Sequence, residues 1–305
     1  MTAQMFRFGL VHAPLTPFAG RAIDYQLFGR ILDFHLANGA EGLAIQSHSG
    51  ESVSLTIPER KALLEFAIGR IAGRVPVIAQ VSEAGTAIAA DLAAHARATG
   101  AVAIMACVPY YWTPPDSMLV EHFAQIGQAG GVPLYLYNSP AEMAGMKIRT
   151  AVVLDLIARL PNLAGVVDCS MDWQFMIDVI AAARRAKPDF ELVSGTEYMV
   201  SAHATGATGF LSPLASVAPG LVRSLYDLVR VEDYKGAYAP QVEAALLHRL
   251  VNPAGVPGLK AAAAMMGRDA GPTRPPLPAL DAAAGVALRD GMSKLARLGA
   301  EQRGW

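Results

Sequence analysis

Eight short apolar runs recur along the chain at nearly even spacing, and that alternation limits the fold more than any other feature. The runs are Gly9–His12, Gly42–Gln46, Val75–Val81, Ala101–Val108, Val132–Tyr137, Leu163–Val167, Glu191–Ser194 and Thr208–Leu211. Segments with helical period separate most of them, among them Tyr25–Asn38, Ile57–Ile71, Thr86–Thr99 and Met118–Ala129. Strands that alternate with helices predict βαβ units and a parallel sheet. The runs are apolar throughout rather than at every second residue, so the sheet is expected to be covered on both faces. Eight units favour a closed (β/α)8 TIM barrel of the α/β class over an open doubly wound sheet. No Gly-x-Gly-x-x-Gly follows the first run, which further weakens the open sheet. From Leu221 to Trp305 the pattern is helical, broken by Pro253, Pro257 and the stretch 272–278. No Gly/Ser linker precedes it. The expected organisation is a barrel over residues 1–222 and a helical extension over 223–305 packed on it.

Composition excludes several function classes. The chain has 305 residues, of which 53% are hydrophobic and 17% charged, with a formal net charge of -1. High apolar content with low net charge argues against disorder. The missing basic excess argues against nucleic acid and against a polybasic membrane patch. Two cysteines, Cys107 and Cys169, make no disulfide framework and read as buried strand residues of a reduced, cytoplasmic protein. His12, Pro14, Thr16 and Pro17 interrupt the stretch from Phe8 to Ala19, so no leader is expected there. Residues 198–222 carry no Asp, Glu, Lys or Arg, but Gly206, Gly209, Pro213, Pro219 and Gly220 punctuate them. Helix, buried strand and loop fit that stretch better than a membrane span.

Thr56-Ile57-Pro58-Glu59 has the form of a capping box with a first-turn proline, opening a helix over Arg60–Arg70. The preceding segment Ser47–Glu51 is therefore a loop after strand two. In barrels of this kind the loops after the strands carry the chemistry. The corresponding segments are Ala13-Pro14-Leu15-Thr16-Pro17, Val108-Pro109-Tyr110-Tyr111-Trp112, Leu136-Tyr137-Asn138-Ser139-Pro140, Gly165-Val166-Val167-Asp168 and Ser194-Gly195-Thr196-Glu197.

Six motifs, in order and spacing, carry a resemblance. They are Thr16-Pro17-Phe18; Ser49-Gly50-Glu51 followed by Pro58-Glu59-Arg60; Arg74-Val75-Pro76-Val77-Ile78; Pro109-Tyr110-Tyr111; Leu136-Tyr137-Asn138-x-Pro140; and Gly206-Ala207-x-Gly209. Together they resemble the dihydrodipicolinate synthase / N-acetylneuraminate lyase family of class I aldolases. The resemblance runs from about Leu10 to Val222 and continues more weakly into the C-terminal helices. It implies catalytic roles for Tyr137, a proton relay beside the reacting carbon, and for Tyr111, a tyrosine donated across a subunit interface with Tyr110 beside it. The third relay position, usually Thr or Ser, falls on His48. The loop of Ser47, Ser49 and Gly50 would hold the carboxylate of a 2-oxo acid, with Gly195 also lining the site. A homo-oligomer, dimer or tetramer, is implied, and no cofactor.

Two departures stand out. In the family a lysine follows a Gly-Ile or Gly-Val pair and attacks the ketone of pyruvate. Here the pair is Gly165-Val166 and the next residue is Val167. The nearest lysines, Lys147 and Lys187, are too far along the chain for a slip in alignment. Lys61, Lys235, Lys260 and Lys294 fall on helical or C-terminal segments. Imine formation needs an amine, and valine has no lone pair. The second departure is Glu142, close to where family synthases with an acidic second substrate often carry arginine. A carboxylate there repels an acid rather than clamping it. It speaks against true dihydrodipicolinate synthesis, although a solvated loop residue is also open.

A metal replacing the lysine would need convergent ligands, with His12, His48, Asp168 and Glu197 as candidates. The histidines show no His-x-His or His-x-x-x-His pair, so none is expected. Cys169 as a nucleophile has no basic neighbour in sequence. Three readings remain: a carbon–carbon or carbon–oxygen lyase acting on a 2-oxo acid without an imine, a non-catalytic binder of a small carboxylate, or a Schiff-base aldolase with a lysine from elsewhere. The last is the weakest, because no lysine falls on a barrel strand.

Overall fold

The computed structural model describes residues 6–111 and 113–305, so Trp112, read above as part of the strand-four end, lies outside the described residues. Eight parallel strands close into a barrel: β1 (Leu10–His12), β2 (Gly42–Ile45), β3 (Val77–Gln80), β4 (Ala103–Cys107), β5 (Leu134–Asn138), β6 (Leu163–Asp168), β7 (Glu191–Ser194) and β8 (Gly209–Ser212). Around the barrel each strand neighbours its predecessor and successor in sequence, and β8 neighbours β1. The helices between them are α1 (Tyr25–Ala37), α2 (Ile57–Ile71), α3 (Thr86–Thr99), α4 (Asp116–Gly130), α5 (Thr150–Arg159), α6 (Trp173–Ala186) and α7 (Met199–Ala204). The barrel, its order and its helices agree with the sequence reading. The capping box is formed: the Thr56 side chain accepts from Glu59 N–H and the Glu59 carboxylate accepts from Thr56 N–H. It starts α2 at Ile57, where the helical period Ile57–Ile71 begins, rather than at Arg60.

The chain forms two compact units. One comprises residues 6–9, Pro76–Thr196 and Ser201–Leu211. Its ladders set Cys107 beside Tyr137, Tyr137 beside Val167, and Val167 beside Val193, with one register shift between Leu134 and Tyr135. Side chains alternate across a strand, so Tyr135 lies on the same face of β5 as Tyr137. The Tyr135 hydroxyl donates to Glu191 at 2.5 Å and its ring packs on Phe8 at 4.8 Å. Gly165 faces that ring at 3.0 Å from where a Cβ would sit, and a Cβ would overlap the Glu191 carbonyl. The glycine of the Gly165-Val166 pair is therefore a packing requirement.

The other unit comprises Leu10–Val75, Glu197–Val200 and Ser212–Trp305. It holds the C-terminal helices α8 (Pro219–Arg230), α9 (Tyr234–Val251), α10 (Gly255–Met265) and α11 (Ala282–Met292). Pro253 does interrupt the helices, within a 3-10 turn at Asn252–Ala254. Pro257 does not: it sits in the first turn of α10, where the missing N–H has no intrahelical partner to lose. A short hairpin, Phe18–Ala19 against Ala22–Ile23, has no counterpart in the sequence reading. Phe18 N–H bonds the Ala270 carbonyl, which ties the hairpin to the chain beyond α10. Cys107 is buried in β4 as expected, but Cys169 lies just past β6 and is only half-buried. No helix among the described residues is long and apolar enough to cross a membrane.

Candidate active site

In a parallel barrel the C-terminal strand ends carry the reacting groups. In the first unit the ends of β5 and β6 are locked together by a side chain. Asn138 Nδ2 donates to Asp168 at 2.5 Å, while Asn138 Oδ1 accepts the Ile148 N–H at 3.0 Å. The Cys169 N–H bonds the Asn138 carbonyl, and the Gly195 N–H bonds the Asp168 carbonyl. Ser170 completes the partners of Asp168. Asp168 is thus a clamp between strand ends, which accounts for an acid directly after Val167.

Tyr137 and Val167 are adjacent across the ladder and buried, Val167 completely. Burial first, then Cys169 and the Glu142 charge, hold the Tyr137 phenol well above the ordinary tyrosine range. The group is a proton donor rather than a standing phenolate. The Cys169 thiol donates to the Gly195 carbonyl at 3.8 Å. The thiol is pushed far up, by burial and by Glu142, so it is no ready nucleophile. Gly195 has no room for a side chain, because a Cβ would overlap the Cys169 sulfur. Glu142 sits on the exposed loop after Pro140, its carboxylate bonded by the Ser139 hydroxyl.

The loop after β4 carries Tyr110 and Tyr111. The Tyr110 hydroxyl donates to Glu83 at 3.0 Å, and burial together with that carboxylate pushes it up to about 12. Tyr111 is 81% exposed. A recess of about 690 Å³ in this unit, walled by Phe6, Val102, Pro133, Ala164 and Lys187, lies at the opposite, N-terminal strand ends. That is the stability end of such a barrel, not the reactive one.

In the second unit the Ser47–Glu51 segment forms a tight 3-10 turn over His48–Gly50. Gly50 N–H bonds the Ser47 carbonyl and Glu51 N–H bonds the His48 carbonyl. The Ser47 and Ser49 hydroxyls pair at 2.8 Å, and Ser49 also reaches the Ala13 carbonyl at 3.1 Å. Thr16 donates to the Gly50 carbonyl at 2.7 Å. His48 is exposed at the apex of the turn, between buried Ser47 and Ser49. The turn is anchored by Glu51, which adopts a left-handed backbone with φ 56°. Its Oε2 accepts the Arg274 N–H at 2.9 Å. Its Oε1 meets Lys260 Nζ at 2.6 Å, a charge contact rather than an aligned hydrogen bond. Lys260 Nζ also donates to the Pro272 carbonyl and stands 4.5 Å from the Phe18 ring centre.

A family model described as the dihydrodipicolinate synthetase family matches residues 7–294. The chain belongs to that family. It is 32% identical over 288 residues to the 4-hydroxy-tetrahydrodipicolinate synthase of Rhodopseudomonas palustris (strain BisA53), covering 93% of this chain and 95% of that one. It is 34% identical over 293 residues to the enzyme of the same name from Hyphomonas neptunium, covering 95% and 98%. Among solved structures, the dihydrodipicolinate synthase of Aquifex aeolicus superposes with a TM-score of 0.88 at 28% identity, over 94% of this chain and 98% of that one. YagE, a prophage protein of this family from E. coli K12 solved in complex with pyruvate, superposes with a TM-score of 0.87 at 25% identity, again over 94% and 98%.

Within this member of the family, the structure adds residues that sequence reasoning passed over. Cys169 reads in the sequence as a buried strand thiol or, less well, as a nucleophile, not as a group beside Gly195. Its spacing of two from Val167 was the available signal that it shares the inward face. Ser139 and its bond to Glu142 gave no signal. Lys260 reads as a helical residue in the sequence; the signal for its role is that it stands in the apolar run 256–266, where a solvated lysine is out of pattern. The four metal candidates do not converge among the described residues. His12 pairs with His35, Asp168 with Asn138 and Ser170, and Glu197 with Ser212, Leu214 N–H and His248.

Proposed function

We propose that this member of the dihydrodipicolinate synthetase family binds a small 2-oxo acid and acts on it as a lyase without forming a Schiff base. The observation that carries the reading is the aliphatic Val167 beside Tyr137, at the position where the family resemblance puts the amine. Tyr137, held protonated by its surroundings, donates to the carbonyl oxygen and stabilises the enolate as charge develops. His48 and Tyr111 complete the proton path. The Ser47, Ser49 and Gly50 turn recognises the carboxylate, and Gly195 lines the site with backbone, its side-chain space being taken by the Cys169 sulfur. Tyr111, largely exposed in one copy, reaches the site of a second copy, so the active form is a homo-oligomer. Glu142 disfavours a second acidic substrate, so the product is not that of the synthases. The choice of pyruvate as first probe is supported by its presence in the solved relative YagE.

The test has two arms. Incubating the wild-type protein with pyruvate and borohydride should leave the intact mass unchanged, while the Val167→Lys variant, if correctly aligned, gains the reduced pyruvate adduct. A wild-type adduct, or a folded variant without one, refutes the assignment of Val167. In the second arm, thermal melting is followed against a panel of 2-oxo acids. Binding at a hundredfold excess over Kd stabilises by about 2.7 kcal/mol, a shift of several degrees. A flat response across the panel refutes the 2-oxo acid reading. Deuterium uptake at C3 of a bound acid, read by proton NMR, separates an enzyme from a binder that performs no chemistry.

A further inference from the structure

In the second unit the C-terminal helices border a recess of about 550 Å³. It lies between the end of α9, the 3-10 turn at Asn252–Ala254, the first turn of α10, the stretch 277–281 and α11. Its walls are aliphatic, led by Leu250, Pro257, Leu277, Leu280 and Leu288, and no aromatic ring lines it. Apolar walls with few polar groups are the ordinary form of a small-molecule site of this size. Two charged side chains stand on the lining, Arg249 and Asp281. Asp281 is already engaged: its Oδ1 accepts the Ala284 N–H at 2.8 Å, and the start of α11 balances its charge. Arg249 sits exposed in the last turn of α9. A helix end favours a cation there, but it takes none of the guanidinium N–H donors. The Arg249 side chain has no partner among the described residues.

We propose that this recess binds a small aliphatic carboxylic acid, with the alkyl chain among the leucines and prolines and the carboxylate paired with Arg249. The sign of the charge follows from the unspent guanidinium, whose planar fork matches the two oxygens of a carboxylate. A monoanion fits better than a phosphate, because a second negative charge adds to the repulsion from Asp281. An alkyl chain fits better than an aryl ring, since walls without rings offer an aromatic no stacking or edge-to-face partner. The recess shares no lining residue with the candidate active site, so the proposal stands apart from the 2-oxo acid reading.

The test is calorimetric titration of the full-length protein with octanoate, with octanol as the uncharged probe and octylamine as the cationic one. Octanoate should bind roughly tenfold or more tightly than either control, because only it meets the guanidinium with a negative charge. Arg249→Gln should weaken octanoate roughly tenfold and change octanol by less than about twofold, since only the charged end loses its partner. Ala287→Trp, which fills the recess from its exposed rim, should remove the binding of both. Octanoate should also slow amide exchange in peptides spanning residues 277–288, and Arg249→Gln should remove that protection. Arg249 is exposed, so its replacement spares the fold and decides the case even where the tryptophan variant unfolds. Absence of octanoate binding at millimolar concentration overturns the proposal. Equal affinity for octanoate and octanol overturns it too, as does an octanoate affinity unchanged by Arg249→Gln, which would put the acid elsewhere on the surface.

Discussion

Acidifying the protein from pH 6.5 to pH 5 should remove about 3 kcal/mol of folding stability through two histidines alone. His12 on β1 and His35 on α1 are fully buried, with their Nδ1 atoms 3.1 Å apart. One ring must donate and the other accept, so both are neutral. His35 Nε2 faces the Ser216 hydroxyl at 3.4 Å, whereas His12 Nε2 is buried with no partner. The tautomer that leaves a bare lone pair, rather than a bare N–H, at His12 Nε2 costs least. Burial, then Arg223, lowers His12 from 6.5 to about 3, and burial, then His12 and Arg268, lowers His35 well below its ordinary range. The unfolded chain therefore takes up protons near pH 6.5 that the folded chain refuses. The stabilisation is fully present above that pH and is lost as pH falls toward 3. His122, lowered to about 4 by burial, adds in the same direction. For His248 burial pulls down but the Glu197 carboxylate outweighs it and the group is raised, so its contribution is lost as pH rises above 6.5 and does not cancel this loss. Urea midpoints at pH 6.5 and pH 5 measure the difference. A stability independent of pH across that interval would show that the pair is not buried as described.

Lys260→Met should destabilise the protein by about 3–5 kcal/mol, since it leaves a buried carboxylate without its counter-charge. Glu51 is fully buried as a side chain and Lys260 nearly so. Burial lowers the Lys260 affinity for its proton, and Glu51 raises it again. The ammonium faces Glu51, the Pro272 carbonyl and the Phe18 ring, so removing it strands all three. A second change, Glu51→Gln, made on top of Lys260→Met should recover more than half of the loss. Replacing both members of a buried pair is far milder than removing one. Chemical denaturation of the two variants checks the sign. A single variant within 1 kcal/mol of wild type would mean that the pair is open to water.

The strands were legible because they are buried on both faces, so their apolar runs are continuous and need no register to be seen. Their ends were less so. Val75–Val81 contracts to Val77–Gln80, with Pro76 unable to donate to the ladder. The capping box was readable to the residue because its signal is local. What the sequence concealed is long-range. Lys260 and Glu51 are 209 positions apart, and no periodicity links them. The hairpin at Phe18 consists of two-residue strands held by Ala270, which local propensity cannot reveal. At the candidate site, Tyr137, Val167 and Gly195 were found from motifs. The bond of Ser139 to Glu142 depends on how the loop after Pro140 folds back, where Asn138 accepts the Ile148 N–H, and composition does not show that.

The β2 loop with its two serines is bolted from far downstream. Lys260 and Arg274 hold Glu51, and Arg274 also grips Glu59, Ser54 and Arg21. Arg268 caps the Ser216 and Val217 carbonyls. A growing polypeptide leaves the ribosome from its N-terminus. The serine turn, though made early, therefore cannot set until nearly the whole molecule has emerged, so nascent chains halted short of Arg274 should be recognisable by a protease-sensitive segment around His48.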